Sequence, residues 1–179
     1  MTAREHGGVR GLGFTLIEIV MVLALLGVML AAGMPSFMAF ITKTRVSGAT
    51  NEFLGDVSYA RSEAATRQVE VAICVSTNQT SCTTGNAWER GRIIFIDTNA
   101  DGAVSAGETV LRVSQPTTAT TVAATGFGST DILRFRPQGG LRPPTQGSFK
   151  LCPSSGTEGR MLSIATTGRP VISKINTCP

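Results

Sequence analysis

The sequence predicts an α+β protein, with one long N-terminal α-helix packed against an antiparallel β head. Three observations predict it. An apolar run at residues 14–41 passes into a polar stretch whose apolar residues recur at steps of three and four. From about residue 70 the chain changes to short β-branched or alternating runs separated by Gly, Pro, Asn and Ser. The composition, 42% hydrophobic and 16% charged, excludes a solvated, disordered chain, and 179 residues suit one domain better than two. The single histidine, His6, lies in the first dozen residues, so no histidine-based triad, zinc cage or acid–base pair can be built in the body of the protein. An enzyme is not expected, and neither is a cofactor.

The first element is the run FTLIEIVMVLALLGVMLAAGMPSFMAFI at 14–41. As a helix at about 1.5 Å per residue it reaches about 40 Å, enough to cross a hydrocarbon core of about 30 Å. The leader before it, residues 1–13 (MTAREHGGVRGLG), carries Arg4 and Arg10, which predicts a cytoplasmic N-terminus and an exported remainder. An ordinary secretory signal places its small-residue cleavage site after the apolar core. Here Gly13 stands before it, so a cut after Gly13 discards the leader and keeps the membrane helix. Glu18 is the one acid in the run. An ionised carboxylate inside a bilayer is costly unless paired, although a position near the helix start is also favoured by the dipole. A cut at Gly13 leaves a free amine on Phe14, and that amine on a neighbouring copy could neutralise Glu18.

These residues carry a resemblance. Gly13-Phe14-Thr15-Leu16-Ile17-Glu18 looks like the prepilin-peptidase site of type IV pilins and pseudopilins. The resemblance implies cleavage between Gly13 and Phe14 on the cytoplasmic face, N-methylation of Phe14 and use of Glu18 in subunit assembly. Gly27 and Pro35 also fall where pilins commonly have a helix-loosening glycine and proline.

The second half of the helix is expected over 42–69, with Val46, Ala49, Phe53, Val57, Ala60 and Ala64 on one stripe and Lys43, Arg45, Glu52, Asp56, Arg61, Glu63 and Arg67 mostly elsewhere. That stripe is read as the face on which the head packs. The head, 70–179, is expected to contain strands at 71–75, 92–96, 109–113, 131–136, 148–152, 161–165 and 170–175, with PTTATT at 116–121 as a polar linker or edge strand. No internal repeat and no second domain boundary is visible. A helix–strand opening, the turn from Trp88 to Gly91, the run from Ile93 through Asp97, Asn99, Asp101 and Gly102, and a following acid-plus-Leu-Arg strand extend the resemblance to the GspH/FimT family. It implies a pilin fold and a structural role in a fibre, as a minor subunit that helps initiate or cap it. The implied partners are other pilins or pseudopilins through the N-terminal helix, the prepilin peptidase and the bacterial inner membrane, with the head in the periplasm. The type IV pilus and the type II secretion system are both compatible with it.

Three further features bear on sites. Cys74, Cys82, Cys152 and Cys178 form an even set in an exported head, which points to disulfides. Three connectivities are open, of which Cys74–Cys82 with Cys152–Cys178 is the most local. Residues 97–108 (DTNADGAVSAGE) place Asp97, Asn99, Asp101, Ser105 and Glu108 at calcium-loop spacing, with Gly102 at the sixth position. Their flanks read as strands instead of helices, so an Asx-rich hairpin turn is the reading adopted and a Ca²⁺ site the alternative. Finally, Lys and Arg outnumber Asp and Glu by eight to two after Leu111, against six to eight from Lys43 to Leu111. Some proteins of the resembled family bind DNA through a C-terminal Gly-Arg-x-Arg motif. Gly168-Arg169 matches its first half and Val171 replaces its second arginine; with the basic excess after Leu111, Arg169 and Lys174 are the candidate DNA contacts.

Overall fold

The computed structural model describes residues 13–154, 156 and 158–178; the leader, with Arg4, His6 and Arg10, lies outside the described residues. Helix α1 spans Leu16–Arg67, through Gly27 and Pro35. The chain divides into two compact units, 1–40 and 41–179. In the first, the large apolar side chains described from Phe14 to Phe40 are all exposed, and an 18-residue window has a mean hydropathy of 2.5 with none of it buried. A surface of that kind marks a membrane or protein–protein contact, and its length and apolarity fit hydrocarbon.

The second unit begins with the last part of α1, which buries Val46, Ala49, Phe53, Val57, Ala60 and Ala64. Those six residues are the stripe expected from their spacing. The helix packs on two antiparallel sheets. The first has five strands: β1 (Val71–Val75), β2 (Arg92–Ile96), β3 (Val110–Ser114), β5 (Ile132–Phe135) and β6 (Leu141–Arg142), in the order β3-β2-β1-β5-β6. The second has four: β4 (Thr120–Thr125), β7 (Gly147–Pro153), β8 (Gly159–Ile164) and β9 (Pro170–Ile175), in the order β4-β7-β8-β9.

Strand β1 is buried throughout because both its faces are covered. Val71, Ile73 and Val75 join the main core with Phe53, Trp88, Phe135 and Phe149, whereas Ala72 and Cys74 meet Ile93 and Phe95 beneath Cys82, Val104 and Ile132. The main core centres on Phe53 of α1, Trp88 of a short 3₁₀ turn (Trp88–Arg90) and Phe149 of β7, with Trp88 and Phe149 ring centroids 4.8 Å apart and edge-on. The Trp88 indole N–H donates to the Thr130 carbonyl at 2.7 Å, so its polar edge is not left unpaired.

One local expectation is sharpened and one strand is new. The stretch read as a linker or edge at 116–121 begins a real edge strand four residues later, β4, whose inward residues Thr120, Val122 and Ala124 are buried while Thr121, Ala123 and Thr125 face out. Its small, weakly apolar residues gave no strong strand signal; pairing with β7 over six positions holds it. Strand β6 is only two residues long and was not anticipated.

Candidate functional site

At the chain's described start, Gly13 and Phe14 are exposed and α1 opens at Leu16. Thr15 caps it. The Glu18 backbone N–H donates to the Thr15 carbonyl at 3.1 Å and lies 3.3 Å from Thr15 Oγ1. Thr15 and Glu18 thus occupy the first and fourth positions of a capping box, a Thr-x-x-Glu signal present in the sequence that the reading of Glu18 as a lone acid overlooked. The Glu18 side chain is exposed within the apolar surface.

The cysteines pair locally. Cys74–Cys82 ties the buried centre of β1 to the loop above it, and Cys152–Cys178 ties the C-terminal segment to β7. Of the three connectivities open to the sequence, this is the most local one.

The acidic loop spends its oxygens on itself. Glu108 accepts the Thr98 N–H at 2.8 Å on one oxygen and the Ser105 N–H at 2.9 Å on the other. Asp101 accepts the Ala103 N–H at 2.8 Å, the Asn99 side-chain amide at 2.8 Å and the Ser105 hydroxyl at 3.2 Å. These donors hold the Asp101 carboxyl below the usual range, the Ala103 N–H foremost. Asp97 is fully buried; one oxygen accepts the Gly102 N–H at 3.1 Å and the other has no hydrogen-bond partner among the described residues. Burial pushes the Asp97 carboxyl up, against the Gly102 N–H that favours its charged form. Arg134 donates to the Ala100 carbonyl at 2.8 Å and pins the loop to β5. Among the described residues no group of three or more His, Cys, Asp or Glu is placed to hold a metal.

The basic residues of the C-terminal half do not form one continuous face. Arg134 and Arg142 face Glu70 at 3.8 and 2.7 Å, and Arg112 faces Asp56 at 3.3 Å, so acids of the first half meet three of the later arginines. Burial nevertheless raises the Glu70 carboxyl, with Arg142 and then Arg134 pulling it back. Arg169 and Lys174 sit at the two ends of β9, about 17 Å apart along an extended strand. They also point to opposite faces. Lys174 is register partner to Arg160 on the core side, while Arg169 shares the outer face with Val171 and lines a shallow hollow with Thr125, Gln146, Ser148 and Ser163. Gly168, the other half of the Gly-Arg pair, is buried at φ +75°, and a Cβ there would collide with the Gly139 carbonyl oxygen. Packing alone therefore demands this glycine.

A buried cluster escaped the sequence reading. Asp56, expected off the buried stripe, is 3% exposed and accepts from Arg92 Nε at 2.6 Å and the Ser114 hydroxyl at 2.7 Å. Arg92 also meets Glu52 at 2.8 Å and lies over the Phe53 ring at 3.8 Å. The partners come from β2 and β3, so no local pattern could have joined them to the helix.

Residues 49–168 match the family model described as Type II transport protein GspH. A crystal structure of the Pseudomonas aeruginosa (strain PAO1) type IV minor pilin FimU in space group P21 is 24% identical, with a TM-score of 0.59, covering 78% of this chain and 99% of that one. A second FimU crystal structure, in space group P65, is 25% identical, with a TM-score of 0.57, covering 75% of this chain and all of that one. No curated protein matches significantly. With well over half its length inside the family model and a long helix packed on antiparallel sheets as in FimU, the chain belongs to the GspH family: it is a minor pilin or pseudopilin of the type IV pilin class.

Proposed function

We propose that the chain is a minor pilin of a type IV pilus, a structural subunit without catalytic activity that acts in pilus assembly or initiation. The observation that carries this reading is the opening of α1: a helix of 52 residues whose first part exposes all of its described large apolar side chains, with one acid among them, Glu18, five residues after Gly13. In this reading the prepilin peptidase cuts between Gly13 and Phe14, Phe14 is N-methylated, residues 14–41 span the inner membrane and residues 42–179 form the periplasmic head. The Glu18 carboxylate then pairs with the Phe14 amine of a neighbouring subunit, which removes the cost of an unpaired charge in hydrocarbon. Likeness to FimU across essentially the whole of that chain supports the pilus assignment.

The description of the matching family supports a second reading, an H-type minor pseudopilin of a type II secretion system. DNA uptake is a further role in which Arg169 and Lys174 would contact phosphates, each from its own face of the sheet. A clean deletion tests these together. Loss of surface pili supports the first reading, loss of secreted enzymes with pili intact supports the second, and loss of transformation alone supports DNA capture. Glu18→Ala should be processed and membrane-inserted yet absent from sheared fibres; normal incorporation of that variant would remove Glu18 from assembly.

A further inference from the structure

Arg160 of β8 and Lys174 of β9 are direct cross-strand partners on the sheet face that also carries the buried Leu151 and Leu162. Two like charges placed opposite each other weaken a strand pair unless something anionic lies between them. Neither is neutralised among the described residues: Arg160 reaches only the Ser47 hydroxyl, at 3.4 Å, and no ion pair involves Lys174. Lys43 of α1 adds a third cation, and the three line a recess of about 240 Å³ together with Val46, Glu158 and Asn176. The one acid there, Glu158, makes a loose 3.8 Å contact with Lys43 in which both side chains stay largely exposed. The recess therefore keeps a net positive charge. The Cys152–Cys178 disulfide fixes the chain four residues past Lys174, so its wall is held in place covalently.

We propose that this recess binds the phosphate of an anionic phospholipid headgroup, with Lys43, Arg160 and Lys174 as its cationic contacts. Position favours a lipid over a nucleic acid. Lys43 lies two residues, about 3 Å of helix rise, beyond Ile41 and the end of the apolar run, at the depth where a bilayer carries its phosphates. A nucleic acid needs a track of cations, and the next basic residue on β9's flank, Arg169, points to the other face. The proposal rests on residues 14–41 spanning the membrane, a reading tested separately by resistance of the chain to alkaline extraction from vesicles.

The full-length chain in dodecyl maltoside is to be mixed with equal amounts of phosphatidylglycerol and phosphatidylcholine, and the lipids retained counted by native mass spectrometry. We expect preferential retention of phosphatidylglycerol, lowered about five-fold by Lys174→Gln and further by Arg160→Gln with Lys174→Gln. The swap Arg160→Lys with Lys174→Arg should restore it. Lys174 is exposed, so the single variant stays informative if the double one misfolds. Equal retention of the two lipids, or retention unaffected by the substitutions, overturns the proposal. Full displacement by millimolar inorganic phosphate would assign the recess to a free anion and overturn the lipid source. A DNA gel shift that depends on Arg160 and Lys174, without lipid preference, would overturn it in favour of nucleic acid.

Discussion

The Asp56 carboxylate of α1 and the Arg92 guanidinium of β2 meet at 2.6 Å with both side chains almost wholly removed from water. Ser114 of β3 donates to the same carboxylate oxygen, and Arg112 approaches the other, so one helical side chain gathers two strands of the first sheet. Breaking such a pair from one side strands a charge in the interior, at a cost of about 3–5 kcal/mol. Asp56→Ala should therefore melt far below the parent chain. Asp56→Leu with Arg92→Met, which removes both charges, should recover much of the loss. A single-variant cost below about 1 kcal/mol in a thermal melt would show that the pair does not clamp helix to sheet.

Gly168 and Arg169 should separate cleanly. Gly168→Ala forces a side chain into a left-handed backbone position against the Gly139 carbonyl, Arg61 and Phe135, and should cost at least about 1–3 kcal/mol by denaturant unfolding. Arg169→Ala, at an exposed site, should leave stability unchanged. If DNA binding is present and Arg169 contributes, only the second variant will weaken a low-salt gel shift without lowering the melting temperature.

The two disulfides close loops of different length, with sequence separations of 8 and 26. On the chain-entropy account, removing Cys74–Cys82 should cost about 2.5 kcal/mol and removing Cys152–Cys178 about 3.5 kcal/mol. Paired Cys→Ser variants measured by urea unfolding test the order. A reversal would mean that packing around Cys74, buried against Ile93 and Phe95, outweighs loop entropy.

Two buried carboxyls, Asp97 of the acidic loop and Glu70 before β1, predict a pH response of definite sign. Asp97 and Glu70 have carboxyls raised above their unfolded values of 3.8 and 4.5, so the folded head holds their protons more tightly than the unfolded chain. Their contribution is present in full below those values and is lost as pH rises through the folded ones. Asp101, lowered, acts in the opposite sense only as pH falls toward and below 3.8. Melting temperature should thus rise as pH drops from neutral through the raised folded values toward 4.5. Asp97→Asn should flatten that rise while leaving the chain folded. Because the loop's own donors occupy the Glu108 and Asp101 oxygens, EDTA should not lower the melting temperature at pH 7.5; a large Ca²⁺-dependent increase would establish a site there.

Much of this fold could be read from local pattern. Val46, Ala49, Phe53, Val57, Ala60 and Ala64 announce themselves because a helix face repeats every three or four residues. Runs such as RIIFI at 92–96 and VAICV at 71–75 do so through β-branched density. What stayed hidden depends on distant residues. Asp56 looks like solvent-facing charge until Arg92 and Ser114 arrive from strands 36 and 58 residues away. The basic excess after Leu111 suggests a charged face until Glu70 and Asp56 meet Arg142, Arg134 and Arg112. The division into two sheets is likewise invisible, since strand spacing says nothing of which neighbours pair.

Trp88 is the chain's single tryptophan, and it sits edge-on to both Phe53 of the helix and Phe149 of the second sheet, with its ring closed off from solvent. The molecule consequently carries its own optical gauge of helix docking. Emission from that indole should be blue-shifted while the three rings remain together and should move to the red when the helix lifts from β7. The opening of the head can then be followed by fluorescence, without an added label, in detergent, in vesicles or within an assembling fibre.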